Sequence, residues 1–383
     1  MTSVPSETKV RGAATAPSRH VRELDWIMLA VVGLCCLGLV MAVSILGADA
    51  KIGPMLAMKR QGIELLAAML GFLLMALVPM SLVRRAALPA FVLAALLCYS
   101  TRFIADDWNG AYRWIQLGRF QFQPVEAARF GLVVLTAHLL AKAGRDLQTF
   151  WKGFVPPMLA TAFLAGALFL QPDHGSALIC CALVACMSLI AGVRIAHFLP
   201  WCLAGLAGFA AIAMRHDYVN TRLTSFLDVA PYQVRQSLVA IAAGGPFGQG
   251  LGEGWMKMGF VPEAENDFVF AVVAEELGFV GSLLVLVLYS VLGVMGYRLT
   301  CRIRDPFLRY VVCGFVLMLC MQAAVNLLVV SGWAPAKGID LPFVSTGGTS
   351  LLFCLAAVGL IGNAARTDLG GADSPISTTP GRV

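Results

Sequence analysis

Acidic side chains gather at the start of one apolar segment of the chain. Glu263, Glu265 and Asp267 immediately precede a long apolar run that itself contains Glu275 and Glu276. A carboxylate at the mouth of a membrane span, with two more about two helical turns deeper, is costly to keep without a purpose. Two interpretations remain open: Asp267 caps the helix by accepting hydrogen bonds from its first free amides, or the acids belong to a functional site.

Two lysines lie in glycine-rich surroundings. Lys257 follows the run GGPFGQGLGEG, and Lys337 lies in APAKGIDLPFVSTGGTS at the start of the final apolar run. Glycines at this density let backbone amides approach an anion, but the first run matches no Walker or dinucleotide fingerprint, so a plain flexible turn is the alternative to a phosphate cradle. Broken backbone at membrane depth is tolerated only where it is buried in protein or lines a cavity. The second run therefore predicts a polar cavity that contains a cation.

A third charged group lies at the start of a span, in the sequence QPVEAARF. Pro124 suits the first turn of a helix, and Glu126 and Arg129 are three residues apart, so they share one helix face. They form either an intramembrane ion pair that orders the helix or part of a polar cavity.

The elements that position these residues are predicted to be membrane-spanning helices. The chain of 383 residues is 59% hydrophobic and only 13% charged, with a mean hydropathy of +0.79, whereas a soluble domain is about a quarter charged. Several apolar runs are long enough to cross roughly 30 Å of hydrocarbon. We therefore predict an all-α, polytopic integral membrane protein with about ten helices, which start near residues 26, 64, 86, 125, 155, 176, 196, 269, 310 and 343. The membrane domain covers residues 25–365, between disordered cytoplasmic tails at 1–24 and 366–383.

Charge predicts the orientation of these spans. With both termini inside, the inner segments hold sixteen of the 28 Lys and Arg residues and the outer segments eleven, as the positive-inside rule requires. The longest loop, Arg215 to Asp267, is then extracytoplasmic, and within it Tyr232 to Ala243 predicts an amphipathic helix on the membrane surface, with Val234, Leu238 and Ile241 on its apolar face. The net charge of +6 is a topology signal that requires no nucleic-acid partner. The sequence has no CxxC or HxxxH pair, so a structural zinc site has no support.

Five ordered motifs in this sequence resemble the SEDS family of FtsW and RodA proteins, from Trp26 to Asn363. They are NGAYRWI with QP-E, then QPDHG, RLTSFLD with YQVRQSLVAIAAGG, VPEAENDFVFAVVAEELG and PAKGIDLPFVSTGGTS. The short connection between Asp228 and Tyr232 is more similar to the division-type FtsW branch than to RodA. Arg129, His174, Glu265 with Asn266, and Thr346 depart from the usual family residues, which puts fine substrate contacts in doubt.

The resemblance implies a ten-span glycosyltransferase that polymerises lipid II, the undecaprenyl-pyrophosphate disaccharide-peptide, on the outer face of the bacterial inner membrane. It implies a class B penicillin-binding protein and other divisome proteins as partners at the septum, within the membrane lipids. The matched motifs assign the catalytic acid to Asp267. They assign substrate contacts to Lys257, Lys337, Arg113, Glu263, Glu275, Glu276, Arg129 and Ser345. No cofactor is certain, and a divalent cation, Mg or Mn, is an alternative source of charge for the leaving pyrophosphate.

Three alternatives are kept. A transporter that flips lipid II also suits ten spans with intramembrane charges, a non-catalytic divisome scaffold would use the cytoplasmic tails as contact surfaces, and a RodA-type polymerase would act in elongation. The acids and cations concentrate on the outer side, whereas a flippase needs a polar path to both faces. This asymmetry favours the enzyme.

Overall fold

The structure is a computed structural model that describes residues 21–48, 53–105, 112–117, 120–201, 203, 232–255, 257–260, 264–335 and 337–370. Within this part of the chain, nine helices are long and apolar enough to cross a membrane. They are α1 (Arg22–Gly47), α2 (Gly53–Leu77), α3 (Met80–Ile104), α4 (Pro124–Ala143), α5 (Val155–Leu170), α6 (His174–Ala191), α8 (Val269–Arg302), α9 (Pro306–Val330) and α10 (Gly348–Gly370). A shorter helix, α7 (Tyr232–Gly244), precedes α8, and a two-stranded antiparallel hairpin of β1 (Ile115–Leu117) and β2 (Phe120–Phe122) precedes α4. The predicted all-α membrane architecture is confirmed.

Most predicted helix starts lie within a few residues of the observed ones, but the start of α2 is wrong. Helix α2 begins at Gly53 rather than near residue 64, because Lys59, Arg60 and Glu64 lower the local hydropathy without interrupting the helix. Residues 198–201 are helical at the predicted start of the seventh span. The remainder of that span, from residue 204, lies outside the described residues.

At both ends of the chain, a helix extends into residues that were predicted to belong to a disordered tail. Helix α1 already begins at Arg22 and α10 continues to Gly370, so residues 22–24 and 366–370 are helical. Residues 1–20 and 371–383 lie outside the described part of the chain.

The spans divide into central and lipid-facing helices. Helices α4, α9 and α10 are mostly buried, whereas α2 and α3 bury only a minority of their apolar windows. The exposed large side chains of α2, such as Leu66, Leu70 and Leu74, form a face that would be unfavourable in water. That face suits contact with lipid tails, and the central helices carry the polar side chains described below.

Polar side chains lie at the two opposite ends of the helix bundle, and at one end they connect neighbouring helices. At one end, Arg302 pairs with Glu23, the Asp368 carboxylate accepts hydrogen bonds from the backbone N–H groups of Arg304 and Asp305, and Asn363 donates to the carbonyls of Met75 and Val78. Asp267, Lys337 and Arg113 lie at the other end. The sorting of the charged segments between the two sides of the membrane, and the assignment of the first end to the cytoplasm, stay predictions from charge.

Helix α8 is broken near its first third. Its 34 residues would span about 51 Å, more than the ~30 Å of a bilayer core. The break lies at Gly278, whose φ of 66° and ψ of −158° are non-helical. The segment before the break, from Val269 to Glu276, is buried at every residue, and it carries both intramembrane acids.

Helix α7 forms where the amphipathic pattern predicts it; contact of its apolar face with the membrane surface stays a prediction, and its packing on α8 was not predicted. Val234, Ser237, Ala240 and Gly244 are buried as α7 packs on α8, whereas Leu238 is 41% exposed. The small residues face the neighbouring helix because only they permit a close approach of the two backbones. Ser237 is fully buried and donates to the carbonyls of Val234 and Val330.

The membrane orientation is tested by cysteine labelling at two exposed positions. We choose Glu253→Cys in the loop after α7 and Arg145→Cys at the opposite end of the bundle, because both residues are exposed. With wild type as the background for the native cysteines, an impermeant maleimide added to intact cells should label Glu253→Cys and leave Arg145→Cys unlabelled. The reverse pattern would overturn the predicted topology.

Candidate active site

The loop between α9 and α10 carries Lys337 and lies against the carboxylate of Asp267. Lys337 lies across the first turn of α6, since a Cβ added at Gly175 would come within 2.7 Å of Lys337 Cδ and 3.0 Å of its Nζ. The next residue, Gly338, faces the acid: a Cβ added there would lie 3.0 Å from Asp267 Oδ2. Successive loop residues therefore contact the α6 N-terminus and the Asp267 carboxylate.

Asp267 lies just outside helix α8. The helix begins at Val269 and its N-cap position is Phe268, so Asp267 does not occupy the capping position that one interpretation required. Its carbonyl accepts a hydrogen bond of 2.7 Å from Asn326 Nδ2, and the same amide nitrogen donates to Ile339 O at 2.7 Å. Asn326 thus fixes the backbone of Asp267 against the loop that carries Lys337 and Gly338.

The loop is also tied to the residues before Asp267 by hydroxyl groups. Ser345 Oγ donates to Asn266 O at 2.6 Å and accepts from the Leu341 N–H at 2.8 Å. Thr346 Oγ1 donates to Glu265 O at 3.0 Å. Ser345 is 4% exposed, so the structure uses its hydroxyl inside the protein, and its predicted contact with substrate stays a prediction.

The predicted pair of Glu126 and Arg129 forms an ion pair in the interior. Arg129 NH1 lies 3.2 Å from Glu126 Oε1, and both side chains are more than nine-tenths buried. Arg129 also donates to Gln322 Oε1 at 2.8 Å, and Gln322 Nε2 in turn donates to Asp340 O at 3.0 Å. The structure shows this ion pair, and through Gln322 the pair is connected to the backbone of Asp340 in the loop between α9 and α10. A substrate contact by Arg129 stays a prediction.

Arg113 lies at the N-terminus of α6, as Lys337 does. Its NH2 group donates to Pro172 O at 3.1 Å and lies 3.7 Å from Asp173 Oδ1. Asp173 is the N-cap of α6, where its carboxylate accepts from the Ser176 N–H. The Arg113 side chain remains 32% exposed, so two cations flank a helix end that itself favours anions.

Lys257 and the two deeper acids do not lie in this group. Lys257 Nζ lies 2.6 Å from Glu276 Oε1, with the two side chains 1% and 0% exposed. Glu275 is also buried, and its Oε1 accepts from the Trp255 N–H at 2.8 Å. Glu263 lies outside the described residues. The predicted substrate contacts of these four residues stay predictions, and the structure gives Lys257, Glu275 and Glu276 internal partners.

Four residues of this arrangement were missed by the sequence analysis. Asn326 and Gln322 are polar residues one turn apart in an apolar span, which is a signal for a functional position. Gly175 and Gly338 carry no such signal, because only the folded chain shows what approaches their Cα atoms. A site for a divalent cation made by three or more His, Cys, Asp or Glu side chains is absent from the part of the chain that the structure describes.

The described helices and this polar site define a polytopic α-helical membrane protein with its candidate active site at one end of the bundle. The family model of the FtsW, RodA and SpoVE cell cycle proteins matches residues 25–369, and the chain belongs to that family.

Named relatives and solved structures agree with this assignment. The chain is 36% identical over 358 residues to a probable peptidoglycan glycosyltransferase FtsW of Saccharophagus degradans, which covers 89% of this chain and 92% of the relative. It is 38% identical over 266 residues to the stage V sporulation protein E of Bacillus subtilis, covering 67% and 72% of the two chains.

Two solved structures share the fold over most of their length. A chain of a peptidoglycan synthase complex, described as coordinating polymerization and crosslinking, matches with a TM-score of 0.76 and 30% identity over 89% of this chain and 97% of that one. The rod shape determining protein RodA of Thermus thermophilus matches with a TM-score of 0.65 and 29% identity over 89% and 96% of the two chains.

Substitution of Gly175 should displace Lys337 without unfolding the protein. In Gly175→Ala the new Cβ meets the flexible end of the lysine, while alanine in a first helical turn is at least as stable as glycine. We expect an unchanged melting temperature with kcat/KM for a lipid-linked donor lowered between about threefold and tenfold. Gly62→Ala is the matched control, since a Cβ there meets no neighbouring heavy atom within 4 Å. Full activity of Gly175→Ala would contradict the role of Lys337 at this helix end.

Proposed function

We propose that the chain is a peptidoglycan glycosyltransferase of the FtsW type that polymerises lipid II at the outer face of the inner membrane. The main support for the proposal is the position of two consecutive loop residues: Lys337 lies at the α6 N-terminus, and Gly338 lies against the Asp267 carboxylate. The names of the relatives support the enzyme class.

The reaction needs a base at the position of Asp267. The acceptor hydroxyl must lose its proton as its oxygen bonds to the anomeric carbon of the donor, and a carboxylate is suited to accept that proton. Asp267 lies at the mouth of α8, where it is only partly buried and so accessible to a substrate. As the new bond forms, the bond from the anomeric carbon to the diphosphate oxygen breaks and the undecaprenyl diphosphate leaves with the electron pair.

The leaving diphosphate must be stabilised by positive charge, and two cationic side chains lie at the α6 N-terminus. Lys337 lies on the first turn and Arg113 lies against Pro172 and Asp173, just before the helix. The helix dipole at such an end also favours anions. We propose that these two cations contact the diphosphate, because charged donors aimed at developing negative charge are a large source of rate acceleration.

A divalent cation would add to this charge, but the described residues do not supply a complete site for one. Mg²⁺ is commonly held by one or two carboxylates together with substrate phosphates, and here the Asp173 carboxylate lies beside Arg113 while the Asp267 carboxylate lies beside Gly338, the residue after Lys337. No step of the proposed reaction is therefore assigned to a metal.

The same assignment implies a setting for the protein. We propose that it acts at the septum with a class B penicillin-binding protein, which crosslinks the strands, and with other divisome proteins. The peptidoglycan synthase complex among the structural matches supports a partner of this kind.

The test is a polymerisation assay with the purified full-length protein, its class B partner and labelled lipid II. Glycan strands resolved on a gel are the expected product, and their formation with and without EDTA reports on the metal. A protein that moves lipid II across vesicles without forming strands would instead be the flippase that the sequence left open. If the protein shows neither activity, the non-catalytic divisome scaffold is the remaining alternative.

A further inference from the structure

The glycine-rich loop after α7 is inserted into the break of α8. In a continuous helix the N–H groups of Phe279 and Val280 would donate to the carbonyls of Glu275 and Glu276. Here Phe279 N–H donates to Gly245 O at 2.9 Å and Val280 N–H to Pro246 O at 3.2 Å. The freed carbonyls of Glu275 and Glu276 accept from Gln249 and Gly250 at 2.9 and 3.1 Å. The loop thus supplies partners for the four backbone groups that the break releases, those of Glu275, Glu276, Phe279 and Val280.

This exchange requires glycine at three positions. A Cβ on Gly244 would collide with the Ala274 carbonyl, and a Cβ on Gly248 would collide with the Glu276 carbonyl. Gly278 faces the backbone of Gly248 and Phe247, and both Gly248 and Gly278 have positive φ angles, of 80° and 66°. The glycine density that suggested a phosphate cradle is therefore explained by a close approach of two backbones.

A buried side-chain cluster closes the same junction. Lys257 Nζ contacts Glu276 Oε1 at 2.6 Å, Ser44 Oγ at 2.7 Å and Gly252 O at 2.8 Å, which accounts for all three of its hydrogens. Ser44 is also within 2.7 Å of Glu276 Oε1, and Gly252 N–H donates to Glu276 Oε2 at 3.1 Å. Helix α1, the loop and the first part of α8 are joined through Glu276.

We propose that Lys257, Glu276 and Ser44 are positioning residues that hold the first part of α8, and with it Asp267, in place for the reaction. Glu276 follows Asp267 by nine residues, and the helix between them is completely buried, so a shift at one end is carried to the other. A displacement of about 1 Å at a reacting group can cost roughly 10²-fold in rate. The proposal rests on the proposed function, and it replaces a diphosphate contact for Lys257 with a role through Asp267.

A double-mutant cycle separates the two roles of Lys257. Lys257→Met, Glu276→Gln and the double variant are compared with wild type in the polymerisation assay, with Lys152→Met as the control. Lys152 forms an exposed pair with Asp146 at the opposite end of the bundle. Each single change should lower kcat at least about tenfold while the donor KM stays within about twofold. The double variant should lose no more than the worse single variant, because the two residues act as one unit.

Ser44→Ala keeps both charges and therefore keeps the test valid if either single variant fails to fold. It should lower kcat about threefold to tenfold at an unchanged donor KM, with the folded fraction measured by size exclusion and thermal melting. A tenfold rise in donor KM in Lys257→Met, but not in Glu276→Gln, would establish a diphosphate contact and overturn the proposal. Lower melting temperatures with normal kcat would assign the cluster to stability alone. An inactive wild-type protein would refute the proposed function instead.

Discussion

Asp267→Asn is expected to abolish glycan polymerisation in a protein that is folded, inserted in the membrane and bound to its partner. Asparagine keeps the size of the side chain and the backbone bond from Asn326 to the carbonyl of residue 267, but it cannot accept the proton of the acceptor hydroxyl. Removal of such a general base commonly costs roughly 10²-fold or more in rate. The measurement is strand formation from labelled lipid II by the purified variant.

Asp146→Asn is the matched control for Asp267→Asn, since Asp146 is an exposed acid at the opposite end of the bundle. It should polymerise normally. Robust polymerisation by Asp267→Asn itself would refute the assignment of the base.

Lys337→Ala is expected to give the second-largest loss. A charge-assisted contact to a diphosphate that is partly withdrawn from water contributes about 1.5 to 3 kcal/mol, which corresponds to a decrease of roughly tenfold to 150-fold in kcat/KM for the donor. Donor binding and single-turnover rates, measured together, show whether the loss lies in the ground state or in the transition state.

Lys337→Met separates the charge of Lys337 from its packing. Methionine keeps an unbranched stem that can cover Gly175, so Lys337→Met should lose as much activity as Lys337→Ala if the charge matters. Recovery of activity in the Met variant, or unchanged donor affinity in both, would assign Lys337 to the packing of the loop on α6.

The sequence allowed the membrane architecture to be predicted because hydropathy follows directly from composition. Apolar runs located most of the spans, and a cluster of charged residues obscured only the start of α2. Periodicity likewise located α7 and its apolar face, but it did not show that Gly244 packs closely on α8, since a hydrophobic pattern alone does not show which protein segment lies opposite a helix.

The candidate site was only partly predictable from the sequence. Asp267, Lys337 and Arg113 lie at one end of the bundle, as their motifs indicate, because each precedes or follows a span that fixes its depth in the membrane. Lys257 has the same local signature as Lys337, namely a lysine in glycine-rich sequence near a span, yet it is paired with Glu276 in the interior.

Tertiary structure alone distinguishes these two lysines, since Glu276, the partner of Lys257, is 19 residues further along the chain in the part of α8 before its break, and another contact, Ser44, lies on α1. The roles of Asn326, Gly175 and Gly338 were decided in the same way. Each depends on the approach of a segment that is distant in sequence, and local composition and spacing carry no information about which distant segment that is.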